Sequence, residues 1–220
     1  MEGDLMYTNA LQPCPLIRTI SVNGEGTVKV PPNHAFLQVE VSTEGNEVEE
    51  AQQRNAAIMN QVIQSILELE IPRENIQTAV YNIFPRYDFV DGKQVFRGYE
   101  VTNAISVKIP DVGLVGKVID TAVSNGANRI SSIEFRLDNE ETYYQMALSK
   151  ALLNAQSKAK TIADTMRLSV APQVIEIVEN NEGSPIVPYR MMSLDSAVGA
   201  TPIEQGVITI KANVTVKFQF

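Results

Sequence analysis

Of 220 residues, 44% are apolar and 20% charged, which excludes a disordered, collagen-like or coiled-coil chain and supplies enough apolar material for a sizeable core. The formal charge of −8 leaves no basic field to attract phosphate backbones or anionic lipid, and nucleic acid is set aside as a partner. A single cysteine, Cys14, and a single histidine, His34, exclude an internal disulfide, a Cys/His zinc site and any paired-histidine motif.

Residues 1–16 carry no pattern and read as a flexible arm ahead of one domain over 17–220. Acids stand where a signal peptide needs bases, and no charge-free stretch approaches the roughly 20 apolar residues of a membrane helix. As it stands the chain reads as cytoplasmic, and as periplasmic or cell-envelope if a signal segment has been removed. Ile17–Val22 alternates as a strand should. Asn23-Gly24-Glu25-Gly26 is expected to make a turn or bulge, and Thr27–Val30 resumes the strand. Ala35–Val41 is a second strand, with Phe36 on the face opposite Val39 and Val41.

A helix is expected over 47–69. Val48, Ala51, Asn55, Ile58, Val62, Ile66 and Leu69 form one apolar stripe with a single polar interruption, and Pro72 ends it. Ile76–Phe84 is a strand. Asp91-Gly92 marks a hairpin tip, and the return strand over 95–109 places Val101, Asn103, Ile105, Val107 and Ile109 on one face. Asp111 is suited to cap a short helix over 112–124, which Asn125-Gly126 terminates. Arg129–Leu137 is a strand, and the longest helix follows over 140–167. Its Ala147, Ala151, Ala155, Ala159 and Ala163 recur at every fourth residue, a row with almost no bulk that permits close approach to a sheet or helix. Val174–Val178 is a strand, and 183–204 a long Pro/Met loop. Val207–Phe218 alternates almost perfectly, as a strand with one wet face.

The expected fold is α+β: two split β-α-β-like units, about 17–109 and 110–220, with helices on a mixed or antiparallel sheet plus a projecting β-hairpin. Motifs that evoke chemistry fail on spacing. Gly24-Glu-Gly26 lacks the third glycine of a dinucleotide fingerprint, and Gly113-Leu-Val-Gly116-Lys117 puts Val118 where a phosphate loop needs Ser or Thr. His34, at a turn after Pro31-Pro32 and with no second ligand-type neighbour, reads as a surface residue, and Cys14 has nothing beside it to lower its pKa. Asp111 and Asp120 lie nine residues apart, roughly 13 Å by helical rise, too far to share a proton. Asp88 and Asp91 lack the further oxygens of a calcium loop, and Asn213-Val-Thr215 is a bare glycosylation tripeptide. No catalytic residue, metal or cofactor is assigned.

Tyr81, Phe84, Tyr87, Phe89, Phe96 and Tyr99 gather in one hairpin, where packing within the hairpin competes with an exposed contact surface. These segments together resemble the SIMPL-domain family, which includes bacterial periplasmic immunogens and oxidative-stress-defence proteins. The resemblance is carried by Val22-Asn-Gly-Glu-Gly-Thr through Pro31 to Ala35 and by Gly98-Tyr-Glu-Val-Thr-Asn103. It continues through Asp111 to Gly116, Ile119-Asp120, Gly126-Ala127, the Ala155/Lys158/Ala159 helix and Pro202-Ile-Glu-Gln-Gly206. It covers nearly all of 17–220, with Asn33 where many members carry Asp. It transfers no catalytic residues and implies a tendency to form large homo-oligomers.

The expected function is a non-enzymatic protein that self-assembles or binds another protein, with a link to envelope or oxidative-stress tolerance. Its candidate interface is Tyr87, Phe89, Phe96, Tyr99, Met191 and Met192. Two alternatives stand beside it: a small-molecule binder or hydrolase using Asp111, Asp120 or Glu134 in a cleft, and a monomeric adaptor working through 183–204.

Overall fold

The computed structural model describes residues 18–180, 187–189 and 201–220. It is an α+β protein with two four-stranded sheets. In chain order the elements are β1 (Thr19–Val30), β2 (His34–Gly45), α1 (Val48–Leu67), β3 (Ile76–Val90), β4 (Lys93–Ile109), α2 (Val115–Ser124), β5 (Arg129–Arg136), α3 (Glu140–Thr165), β6 (Gln173–Glu179), β7 (Val187–Tyr189) and β8 (Val207–Gln219). Among the described residues two compact units result: 18–28, 143–180 and 211–220 form one, and 29–142 with 187–189 and 201–210 the other.

The larger unit is built on the sheet β3-β4-β2-β5, with β4 inserted between β2 and β3 and antiparallel to both. The α1 crossover from β2 to β3 is therefore a split β-α-β unit. Helices α1 and α2 contact one face of this sheet. The alternation of β2 places Leu37, Val39 and Val41 beneath them, while β4 adds Ile105, Val107 and Ile109 and the helices add Val62, Ile66, Val115 and Val118. Each such aliphatic side chain contributes roughly 1.5–3 kcal/mol when fully buried.

Asn55, the polar interruption in the α1 stripe, is fully buried. Its Nδ2 donates to the carbonyls of Val41 at 2.9 Å and Val101 at 3.0 Å, tying helix to sheet, while its Oδ1 has no partner. Asp111 accepts from the Gly113 N–H at 2.9 Å, the cap expected of it, although the first turn it caps is a 3₁₀ turn over Val112–Leu114 ahead of α2.

In the smaller unit the alanine row of α3 is buried throughout. The expected turn at Gly24-Glu-Gly26 is overturned: β1 runs unbroken through it. The glycines serve close approach instead. A Cβ on Gly24 would overlap the Ala151 carbonyl oxygen and stand 2.8 Å from Ala155 Cβ, and one on Gly26 would overlap the Ala147 carbonyl oxygen. Alanine row meets glycine strand, and this draws α3 near enough for its polar side chains to reach the β1 backbone. Lys158 Nζ donates to Asn23 O at 2.7 Å, Asn154 Oδ1 accepts from Glu25 N–H at 3.2 Å, and Lys150 Nζ donates to Thr27 O at 3.1 Å. Four helical residues rise about 6 Å and two strand residues about 6.7 Å, so the two rows stay in step over three contacts. Side chains of α3 thus satisfy backbone groups of an edge strand that would otherwise face water.

Within the span expected as a loop, Val187–Tyr189 pairs with Val207–Thr209 of β8. Backbone pairing there owes nothing to a hydrophobic pattern, which is why composition alone suggested only a loop. Strands β3 and β4 also run further toward the hairpin tip than the apolar pattern implied. Cys14 and the N-terminal arm lie outside the described residues, as do Met191 and Met192.

Candidate interaction surface

Strand β2 pairs with β4 only as far as Gly45 opposite Tyr99. Beyond that point β3 and β4 continue alone, from Arg86 opposite Gly98 to Val90 opposite Lys93, as a two-stranded ribbon. The tip is Asp91-Gly92, with φ of 51° and 75°, the paired positive values of a type I′ turn.

Alternation decides what the ribbon displays. Ile83 lies opposite Val101, which belongs to the face that α1 and α2 cover. Tyr87 and Phe89 follow on the same side of β3 at two-residue steps. A register shift between Arg86 and Tyr87 brings Phe96 opposite Tyr87. Tyr87 and Phe96 meet edge to face at 5.6 Å, and Phe96 and Tyr99 at 5.2 Å. The apolar face of the sheet thus outruns the helices that cover it, and its exposed end is an aromatic ladder. Tyr87 is 47% exposed, Phe96 45%, and Phe89 beside the tip 77%. Of the two sequence readings, packing within the hairpin and exposure, both hold in part: the rings stack on one another and still face solvent. With Tyr81, also exposed, the patch offers roughly 400 Å² if each ring contributes about half of its ~200 Å², within the range of functional patches on monomers. Asp88 and Arg97 pair at 2.8 Å and fix the register near the tip. Pro85 removes one donor from the free edge of β3.

The other face of this sheet is polar. Glu40, nearly buried, accepts from Arg129 at 3.0 Å, and Ser42 Oγ donates to Glu100 at 2.6 Å. The Asn128 side chain bonds both the N–H and the carbonyl of Ser42, at 2.9 and 2.7 Å. A shallow cleft of about 280 Å³ lies on this face, lined among others by Phe36, Gln38, Ser132, Glu134 and Arg136. Arg136 lies 4.9 Å over the Phe36 ring and pairs with Glu134 at 2.7 Å.

The three carboxylates of the hydrolase alternative do not converge. Asp111 caps its turn. Glu134 is paired with Arg136 in a cleft whose lining includes neither aspartate. Asp120 accepts from Thr201 Oγ1 at 2.5 Å and from Thr201 N–H at 3.0 Å, and these two bonds hold its pKa below the ordinary 3.8. A general acid needs the opposite shift.

His34 is buried, with Nδ1 2.9 Å from Asn33 Oδ1 and 3.5 Å from Asp138. Burial lowers its pKa below 6.5, with Asp138 opposing and Lys108 and Arg136 reinforcing that shift. The sequence reading of His34 as a surface turn residue is corrected by this burial. The ring makes an edge contact with Phe36, 5.6 Å between ring centres. Among the described residues no cluster of three or more His, Cys, Asp or Glu is placed to hold a metal, and no helix is long and apolar enough to cross a membrane.

Comparison with known proteins gives a consistent result. The model of the SIMPL family, described as a protein of unknown function (DUF541), matches residues 20–218. The chain is 28% identical to the 26 kDa periplasmic immunogenic protein of Brucella melitensis, over 91% of its own length and 84% of that protein. It is 30% identical to the uncharacterized protein YggE of Escherichia coli K12, over 100% of its own length and 89% of that protein.

Proposed function

The chain belongs to the SIMPL (DUF541) family, and from that starting point we propose that it is a non-enzymatic, self-assembling protein of the cell envelope. In this reading the β3–β4 ribbon supplies the contact with a second copy. The observation that carries it is the aromatic ladder Tyr87–Phe96–Tyr99 with Phe89 at its end, a sheet face prolonged beyond its own helices. Two such patches facing each other bury roughly 800 Å², so the ribbon would form the apolar centre of an interface completed by its polar flanks.

The periplasmic relative supports the envelope setting, in which a role in oxidative-stress tolerance is the physiological reading. The acidic residues favour binding over catalysis. Asp111, Asp120 and Glu134 are each held by a local partner instead of meeting over a common cavity.

The test is native mass by light scattering for wild type and for Tyr87→Asp with Phe89→Asp, with circular dichroism as the check on folding. The double variant should lower the mass while leaving the protomer folded. An unchanged mass would remove the ribbon from the interface, and a wild type already monomeric at high concentration would end the assembly reading.

A further inference from the structure

The alanine row of α3 runs on past the two glycines it packs against. Ala147, Ala151 and Ala155 meet Gly24 and Gly26, but Ala159 and Ala163 lie beyond them. There the same lack of bulk leaves a cavity of about 490 Å³, within the range of small-molecule sites. Its apolar lining combines Ala159, Ala163 and Phe218, all nearly inaccessible, with Leu168 and Val170 from the segment that follows α3. Ordinary core packing would fill such a space with a leucine at either alanine position.

Two of the lining side chains are charged, with opposite signs. Lys160 and Asp164 stand one turn apart on α3, where side chains are neighbours with Cβ atoms about 5–6 Å apart. Neither forms an ion pair among the described residues. A simple anion would meet Asp164 as readily as Lys160, and a simple cation would meet the reverse. Only a molecule carrying both charges close together, on an apolar body, satisfies both side chains and the lining.

We propose that this cavity binds a free α-amino acid with an apolar side chain, of the leucine or phenylalanine class. Lys160 takes the carboxylate, Asp164 the ammonium, and the side chain lies against Ala159, Ala163 and Phe218. The site belongs to the smaller unit alone and is independent of the aromatic ribbon.

Isothermal titration calorimetry on the full chain tests it, with L-leucine and L-phenylalanine as probes. L-Serine lacks the apolar body, octanoate the ammonium and hexylamine the carboxylate. Leucine or phenylalanine should bind saturably and at least about tenfold more tightly than the three controls. Lys160→Ala and Asp164→Asn, both at exposed positions, should each weaken binding by about tenfold or more without changing the melting temperature. Ala163→Leu, if folded by circular dichroism, should abolish binding by filling the cavity. No saturable heat up to about 10 mM would overturn the proposal. So would wild-type affinity in either charge variant, or octanoate or hexylamine binding as tightly as the amino acids.

Discussion

Substituting Gly24 by alanine tests one of the tightest backbone approaches among the described residues. The added methyl would overlap the Ala151 carbonyl oxygen and press on Ala155 Cβ at 2.8 Å. The first obstacle is backbone, so no rotamer change relieves it, and α3 must move away from β1. Overpacking of this kind costs about 1–3 kcal/mol, and the rigid obstacle places Gly24→Ala near the top of that range. Losing glycine's extra freedom in the unfolded chain returns about 0.5–1 kcal/mol. The net loss is then about 2 kcal/mol, or a drop of about 4–8 °C in melting temperature for a chain of this size. Gly26→Ala should behave alike. Because one displacement of α3 relieves both overlaps, the double variant should cost less than the sum. Urea titration followed by circular dichroism measures this, with an unchanged m-value showing that stability alone has moved. Glu25→Ala is the control, since Glu25 is exposed and engages Asn154 only through its backbone N–H; it should stay within about 0.5 kcal/mol of wild type. A cost for Gly24→Ala no larger than that of Glu25→Ala would refute the close-approach account of the glycines.

Other outcomes follow from the same geometry. Asn55→Ala removes both donors to the Val41 and Val101 carbonyls and leaves a void, and should cost about 2–4 kcal/mol in urea unfolding. Asn55→Asp should be worse near neutrality and partly recover at low pH, because only the protonated acid can donate to a carbonyl. Burial lowers the His34 pKa below 6.5, so its unfolded form takes up a proton first; stability should decline as pH falls below about 6.5 and flatten once the folded pKa is passed. In His34→Gln that slope should disappear from melting temperatures measured between pH 7.5 and 5. The Asp120 carboxyl, held below 3.8 by Thr201, contributes stability above that pH and loses it as pH falls through the lower folded value. NMR titration should show its midpoint moving back up toward 3.8 in Thr201→Val.

Much of the larger unit was legible because its signals are local. The apolar stripe of 48–69, the alternation of 101–109 and the Asp91-Gly92 turn each report a period or a backbone requirement, and all three stand in the structure. The aromatic residues Tyr87, Phe89, Phe96 and Tyr99 were identifiable as a hairpin cluster for the same reason. Their exposure was not, because it depends on where β2 stops pairing with β4. His34 shows the converse: a turn-like position at the start of a strand is buried, with Asn33, Phe36 and Asp138 around its ring.

Gly24 and Gly26 mark the boundary between the two kinds of information. Read locally, two glycines around one glutamate signal a turn, and nothing within a few residues says otherwise. What holds them in a strand is α3, whose contacts Ala147, Ala151 and Ala155 come more than 120 residues later in the chain. Sequence alone determined the α+β class, the principal helices, the alternating faces and the small-residue row, since each is a periodicity written in consecutive residues. Tertiary structure decided which strands share a sheet, which apolar face is left uncovered at the ribbon, and why α3 needed alanines. Those are relations between residues distant in the chain, fixed by packing, and no local pattern carries them.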